Sequence, residues 1–318
     1  MPMRDADGSG GRPERVRFFG RTPDSFRPLA AECTLATVGQ PLTAAELDQV
    51  AELIRGRPEV TLRFHGKAAR DLEFLRHFPG LVRLSVDLWE LEDIAGFSHL
   101  QGSLELLHFG KSRKRFSLRF FESMPALRAL SLAGHTKDVA SVANLSRLTS
   151  LALRGITLPD LSVIASLPEL GTFSLLLGGT THLDHLVELP KLTTLNLMRI
   201  ARLADLSVLA RLRTLTTLEL DGMRNVTTLP SLASLTRLEE VTLETMKGLS
   251  DISAVAAAPA LRRLTVAGMP QLTAEAFRCL VGHPSLTELR LWSSLGGAGL
   301  KKPVLGAVRQ LLPAIVRP

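Results

Sequence analysis

The chain has 318 residues, 45% of them apolar, two cysteines and a formal net charge of +7. That apolar content is ample for a buried core, while no run nears the roughly 18 apolar residues of a membrane span, so none is expected. The isoelectric point near 10.0 raises nucleic acid as a partner, but the charge is spread along the chain and aromatics for base stacking are scarce. A solvated basic surface is therefore the plainer reading, and nucleic acid is not expected as the partner.

Residues 1–14 are rich in glycine and charge, cannot bury anything, and read as a disordered tail. They lack the apolar stretch of a signal peptide. Residues 15–58 read as an N-terminal cap. Val16, Phe18 and Phe19 fit a short strand, and Leu35 to Val38 another. Thr43 and Glu46 have the spacing of a capping box, and Leu47, Val50, Leu53 and Ile54 form the apolar face of the helix that follows. Cys33 and Cys279 lie far apart and suggest no disulfide framework, as in a reducing compartment.

From residue 59 to about 300 one frame repeats, with openings at Leu81, Leu104, Leu127, Leu148, Leu170, Leu192, Leu215, Leu238, Leu261 and Leu286. Each copy starts L-x-x-L-x-L, as in Leu192, Leu195 and Leu197, where the last two residues share one face of a short strand. An apolar period of three follows, as in Leu206, Leu209, Leu212 and Leu215. That period suits a 3₁₀ or extended turn, and Pro159, Pro168 and Pro230 argue against long helices. One copy has no core of its own; stacked copies bury a continuous apolar column.

The stretches 205–215 (DLSVLARLRTL), 160–170 (DLSVIASLPEL) and 251–261 (DISAVAAAPAL) resemble the short leucine-rich repeats of internalins and of phosphatase-regulating repeat proteins. The resemblance implies an α/β fold: a right-handed solenoid with a concave parallel sheet of about eleven strands and short 3₁₀ or irregular convex segments. It departs from the family at the ninth position, often Asn there and here Ile156, Ile200, Met223, Met246 or Met269. Apolar packing has to hold that corner. Asp160, Asp205 and Asp251 are expected to accept backbone N–H groups in the turn. Thr273 to Leu280 has room for a true helix capped by Thr273, and residues 301–318 for a capping helix begun by Pro303 and ended by Pro313.

No catalytic constellation emerges, and no cofactor or metal is expected. Gly110-Lys111-Ser112 ends like a phosphate-binding loop, but Glu105 stands where its first glycine must be. His182 and His185 flank Asp184 at a spacing that can hold a metal, yet His182 takes the slot of the turn aspartates. Cys279 and His283 read as packing residues. The basic run Lys111, Arg113, Lys114 and Arg115 interrupts the frame, either as a plain exposed loop or as a contact for an acidic partner.

Positions alternating with the buried pair line the concave face. There Glu219, Asp221, Glu240 and Glu244 cluster, with Asp221 expected beside Glu244, and Arg263, Arg290 and Trp292 follow. Like charges set side by side cost stability and serve no folding purpose. The seven residues are therefore the expected contact surface for a protein partner carrying a basic segment. The reading is a monomeric, non-catalytic interaction scaffold of a bacterial cytoplasm. Its alternative is a regulatory or sensor subunit of an enzyme, such as a phosphatase regulator or the recognition partner of a defence ATPase.

Overall fold

Apolar residues three and five places after the openings are, Leu291 apart, withdrawn from water, while most of the residues between them stay half-exposed, and this alternation builds the sheet. The computed structural model describes residues 16–20, 26–292 and 299–317. The disordered tail expected at 1–14 lies outside them. The chain packs as two compact units, one up to Lys114 and one from Arg115 onward.

In the first unit, strands β1 (Val16–Phe19), β2 (Leu35–Val38), β3 (Thr61–His65), β4 (Arg83–Asp87) and β5 (Leu106–Phe109) pair in chain order, all parallel. The helix Ala44–Ile54 begins as expected: the Thr43 N–H donates to Glu46 Oε2 at 2.7 Å and the Glu46 N–H to Thr43 Oγ1 at 3.3 Å. Leu47, Val50 and Ile54 are its buried face.

The second unit contains β6 (Ala129–Ala133), β7 (Ser150–Arg154), β8 (Thr172–Leu176), β9 (Thr194–Met198), β10 (Thr217–Asp221), β11 (Glu240–Glu244), β12 (Arg263–Ala267), β13 (Glu288–Trp292) and the two-residue β14 (Val316–Arg317). These too run parallel in chain order. Strands β3 to β13 are the eleven of the repeat frame; β1, β2 and β14 lie outside it. Leu195, Leu197, Leu218 and Leu220 are fully buried, each contributing about 1.5–3 kcal/mol.

The three-residue ladder folds as expected. Ser207–Arg211 is a five-residue 3₁₀ helix over buried Leu206, Leu209, Leu212 and Leu215. Ser162–Ala165 and Ser253–Ala256 each make one α-helical turn, and Gly222–Glu239, which contains Pro230, makes none. Thr273 does not cap a true helix: Ala274–Leu280 is 3₁₀, with no side-chain cap bond. The last helix is Lys302–Leu311, with Pro303 in its first turn and Val308 buried; Gly296 and Gly297 lie outside the described residues.

The turn aspartates act as expected, with Asp160, Asp205 and Asp251 accepting the N–H of Ser162, Ser207 and Ser253 at 2.7–2.8 Å. Bonds from the same serines hold these carboxylates below the usual aspartate range. Ile156, Met223, Met246 and Met269 at the ninth position are fully buried, and Ile200 nearly so, which makes that corner apolar. One side chain adds a polar rung there: Gln271 Nε2 donates to the Met246 and Leu249 carbonyls, both at 2.8 Å.

Position eight of seven successive copies is left-handed. Gly134, Gly155, Gly222 and Gly268 take it without strain, but Leu177, Arg199 and Thr245 take it at φ +51° to +55°. At Gly222 a Cβ would also stand 2.6 Å from Arg199 Cγ, so that side chain would have to shift to admit one.

Candidate functional site

The open face of β9 to β13 brings the seven sequence-selected residues into one unit, but not as one patch. In register, Thr217 lies beside Glu240, Glu219 beside Thr242, and Asp221 beside Glu244, so the expected carboxylate neighbours are neighbours. Adjacent parallel strands lie about 4.8 Å apart, which leaves these acids little room to avoid one another.

Glu219 is the most confined of them. Asn196 Nδ2 donates to its Oε2 at 2.8 Å. Desolvation first, then Glu240 and Glu244, push its pKa above the usual glutamate range. Asp221 is also raised by desolvation, partly offset by the Arg199 charge and a hydrogen bond from Thr245. Its Oδ1 is buried with no hydrogen-bond partner among the described residues. Two of the strained position-eight residues thus act on one carboxylate of the cluster.

The other end of the set is neutralised internally. Arg263 Nη1 pairs with Glu240, and Arg263 Nε with Glu288 at 2.9 Å. Arg290 Nε reaches Glu288 Oε1 at 2.8 Å, and its guanidinium lies 6.0 Å from the centre of the Trp292 ring. Those bonds hold the Glu288 carboxyl below its ordinary value. The indole is 42% exposed. Glu288, the hub of this chain of charges, was outside the sequence-selected set although it occupies the same kind of slot.

Sequence reasoning also passed over the apolar residues beside the acids. Leu176 and Met198 are in register on β8 and β9, and Met198 is in register with Asp221. Leu177 next to them is 40% exposed. The seventh-position row thus runs Leu176, Met198, Asp221, Glu244, an apolar ledge leading into acid. The alternation alone puts these positions on the open face.

The residues weighed for chemistry are dispersed. His182 is exposed, and His185 Nδ1 contacts Glu188 Oε1 at 2.8 Å. Cys279 is exposed rather than packed in the core, because Phe277 and Leu280 take the buried places of that helix. Partial desolvation and the Asp251 charge raise its thiol pKa, which disfavours the nucleophilic thiolate. His283 accepts the Ser285 and Leu286 N–H groups on Nδ1 and reaches the Ala258 carbonyl with Nε2 at 3.1 Å, closing a turn.

No protein-family model and no curated protein sequence matches the chain. Solved structures do. An internalin from Listeria monocytogenes superposes with a TM-score of 0.60 at 22% identity, covering 87% of this chain and 76% of the internalin. A leucine-rich repeat protein from Leptospira interrogans gives 0.53 at 15% identity over 90% of each chain. A chain of the yeast Rad7–Elc1 complex gives 0.52 at 18% identity, covering 89% of this chain and 75% of that one. With the register above, these likenesses establish a leucine-rich repeat solenoid fold. Among the described residues no helix is long and apolar enough to cross a membrane.

Proposed function

We propose that the chain is a non-catalytic protein-interaction scaffold whose open face at β9 to β11 receives a partner segment carrying a basic residue next to an apolar one. The observation that carries this reading is the placing of Glu219, half-buried and held by Asn196 at 2.8 Å, diagonally across the strand register from Glu240 and Glu244, charges of its own sign. That arrangement opposes folding and favours an incoming cation, which would relieve the repulsion and gain from the low local dielectric. Met198 one strand away, and Leu176 and Leu177 two strands away, supply apolar surface. Glu240 contributes less than its place implies, since Arg263 already neutralises it. Arg263 and Arg290 brace the edge of the face on β12 and β13, where exposed Trp292 offers a separate anchor. The fold's structural relatives include a chain solved in a complex, which is consistent with a binding role. The two free cysteines suit a reducing compartment such as a cytoplasm.

Panning a random peptide library on the wild-type chain and on the Glu219→Lys/Asp221→Lys/Glu244→Lys variant tests the reading. Wild type is expected to enrich peptides pairing Lys or Arg with an apolar residue, and the variant is expected to lose them. Recovery of the same peptides by both would overturn it.

A further inference from the structure

The first unit contains a second exposed tryptophan that the acidic face does not use. Trp89, two residues past the end of β4, is 51% exposed, and Lys111 Nζ lies 5.8 Å from the centre of its ring. The loop bearing Lys111 is where the repeat frame breaks, and it is held in place. The Gly110 N–H donates to the Val86 carbonyl at 2.7 Å, and the Arg113 N–H to the Trp89 carbonyl at 2.8 Å. Lys114 Nζ donates to the Glu92 carbonyl at 2.8 Å, and buried Ser112 turns its hydroxyl to the Lys114 carbonyl at 2.6 Å. Gly110 permits the approach, since a Cβ there would stand 2.8 Å from Asp87 Oδ1. A plain solvated loop needs none of this. Here the bonds fix the loop so that exposed Lys111 lies over an indole in water, with exposed Arg113 two residues on, its backbone tied to Trp89.

The acids nearby are largely committed. The Glu92 carboxylate pairs with Arg70, and Asp93 Oδ1 accepts the Ala95 N–H at 2.6 Å, which leaves Glu90 exposed. We propose that Trp89, Lys111 and Arg113 form a docking point for a short acidic peptide segment, with carboxylates on the two cations and an aromatic or apolar residue against the indole. Trp and Arg are preferred binding anchors, and the cation over the ring keeps the indole in position until a partner arrives. Single-stranded nucleic acid fits less well, because it needs successive stacking rings along a positive track. One indole bordered by Glu90, Glu92 and Asp93 offers neither.

The test uses the full chain with Trp292→Phe, which leaves Trp89 as the sole indole reporter. The probe is a capped peptide, Glu-Asp-Phe-Asp-Glu, titrated while Trp89 emission is followed. A saturable change is expected, weakened by salt and reduced at least about tenfold in affinity by Lys111→Glu/Arg113→Glu at unchanged thermal stability. Reversing Glu219 and Asp221 should leave this binding intact, so the outcome is separable from that of the acidic face. The proposal is overturned by no saturable change, by an equal response to the peptide with every acid replaced by lysine, or by tighter binding of oligothymidine.

Discussion

The Glu219 carboxylate takes its hydrogen bond from the neutral Asn196 amide, at 2.8 Å, while its charged neighbours are acids. Its pKa, and that of Asp221, is raised in the folded state. The linkage sign follows: a carboxyl group that binds its proton more tightly when folded stabilises the fold at low pH, and this contribution is lost as pH rises through the folded value. At neutral pH the cluster therefore costs stability. Glu219→Gln is expected to raise the urea midpoint at pH 7 by roughly 0.2–1 kcal/mol equivalent, the usual worth of a like-charge cross-strand contact. The gain should vanish below the ordinary glutamate range, where wild type is protonated too. A gain that persists unchanged at acid pH would show that repulsion is not its source.

Arg263 permits a comparison between ion pairs. It reaches Glu288 at 2.9 Å with the carboxylate side chain 23% exposed, whereas Arg262 and Glu239 stand 3.8 Å apart and are mostly solvated. Double-mutant cycles should give a coupling near 1 kcal/mol for Arg263–Glu288 and about zero for Arg262–Glu239. Equal couplings would mean that the charge chain across β11 to β13 does not brace the edge.

Leu177 is an exposed leucine in left-handed backbone at φ +55°, where four sister positions carry glycine. Leu177→Gly is expected to stabilise the chain by about 1 kcal/mol in a thermal melt, because glycine removes the Cβ strain. If the leucine serves binding, the same variant should bind the panned peptides more weakly. A destabilised variant would show that its side chain packs more than its exposure indicates.

The repeat column has its own test. Leu195 is fully buried between its counterparts Phe173 and Leu218 on the flanking strands. Leu195→Ala should cost about 2–5 kcal/mol in urea unfolding, as a cavity opens in a column that cannot collapse. A loss under about 0.5 kcal/mol would contradict the stacked core.

These residues show how much was readable beforehand. Strand register was legible because a period of two places every leucine on one face, and the frame then fixes which residues face which, Asp221 and Glu244 included. The turn role of Asp205 was legible from its place before the ladder. Side-chain reach was not. Whether Arg263 turns toward Glu240 and Glu288 depends on rotamers that spacing does not encode, so Arg263 was grouped with an acid, Glu240, that it neutralises. The left-handed backbone at Leu177, Arg199 and Thr245 was hidden because only the glycines at that position announce it. Cys279 was misjudged as packed because an apolar period of three does not say which way a 3₁₀ helix rolls.

The acidic face is tested most directly by titration calorimetry of a panned lysine-bearing peptide against wild type and the Glu219→Lys/Asp221→Lys/Glu244→Lys variant. Loss of desolvated charge pairs should weaken binding by about 2–5 kcal/mol, and changing the peptide's lysine to glutamate should restore affinity for the variant while abolishing it for wild type. Equal affinity of the two proteins for the original peptide would contradict the account.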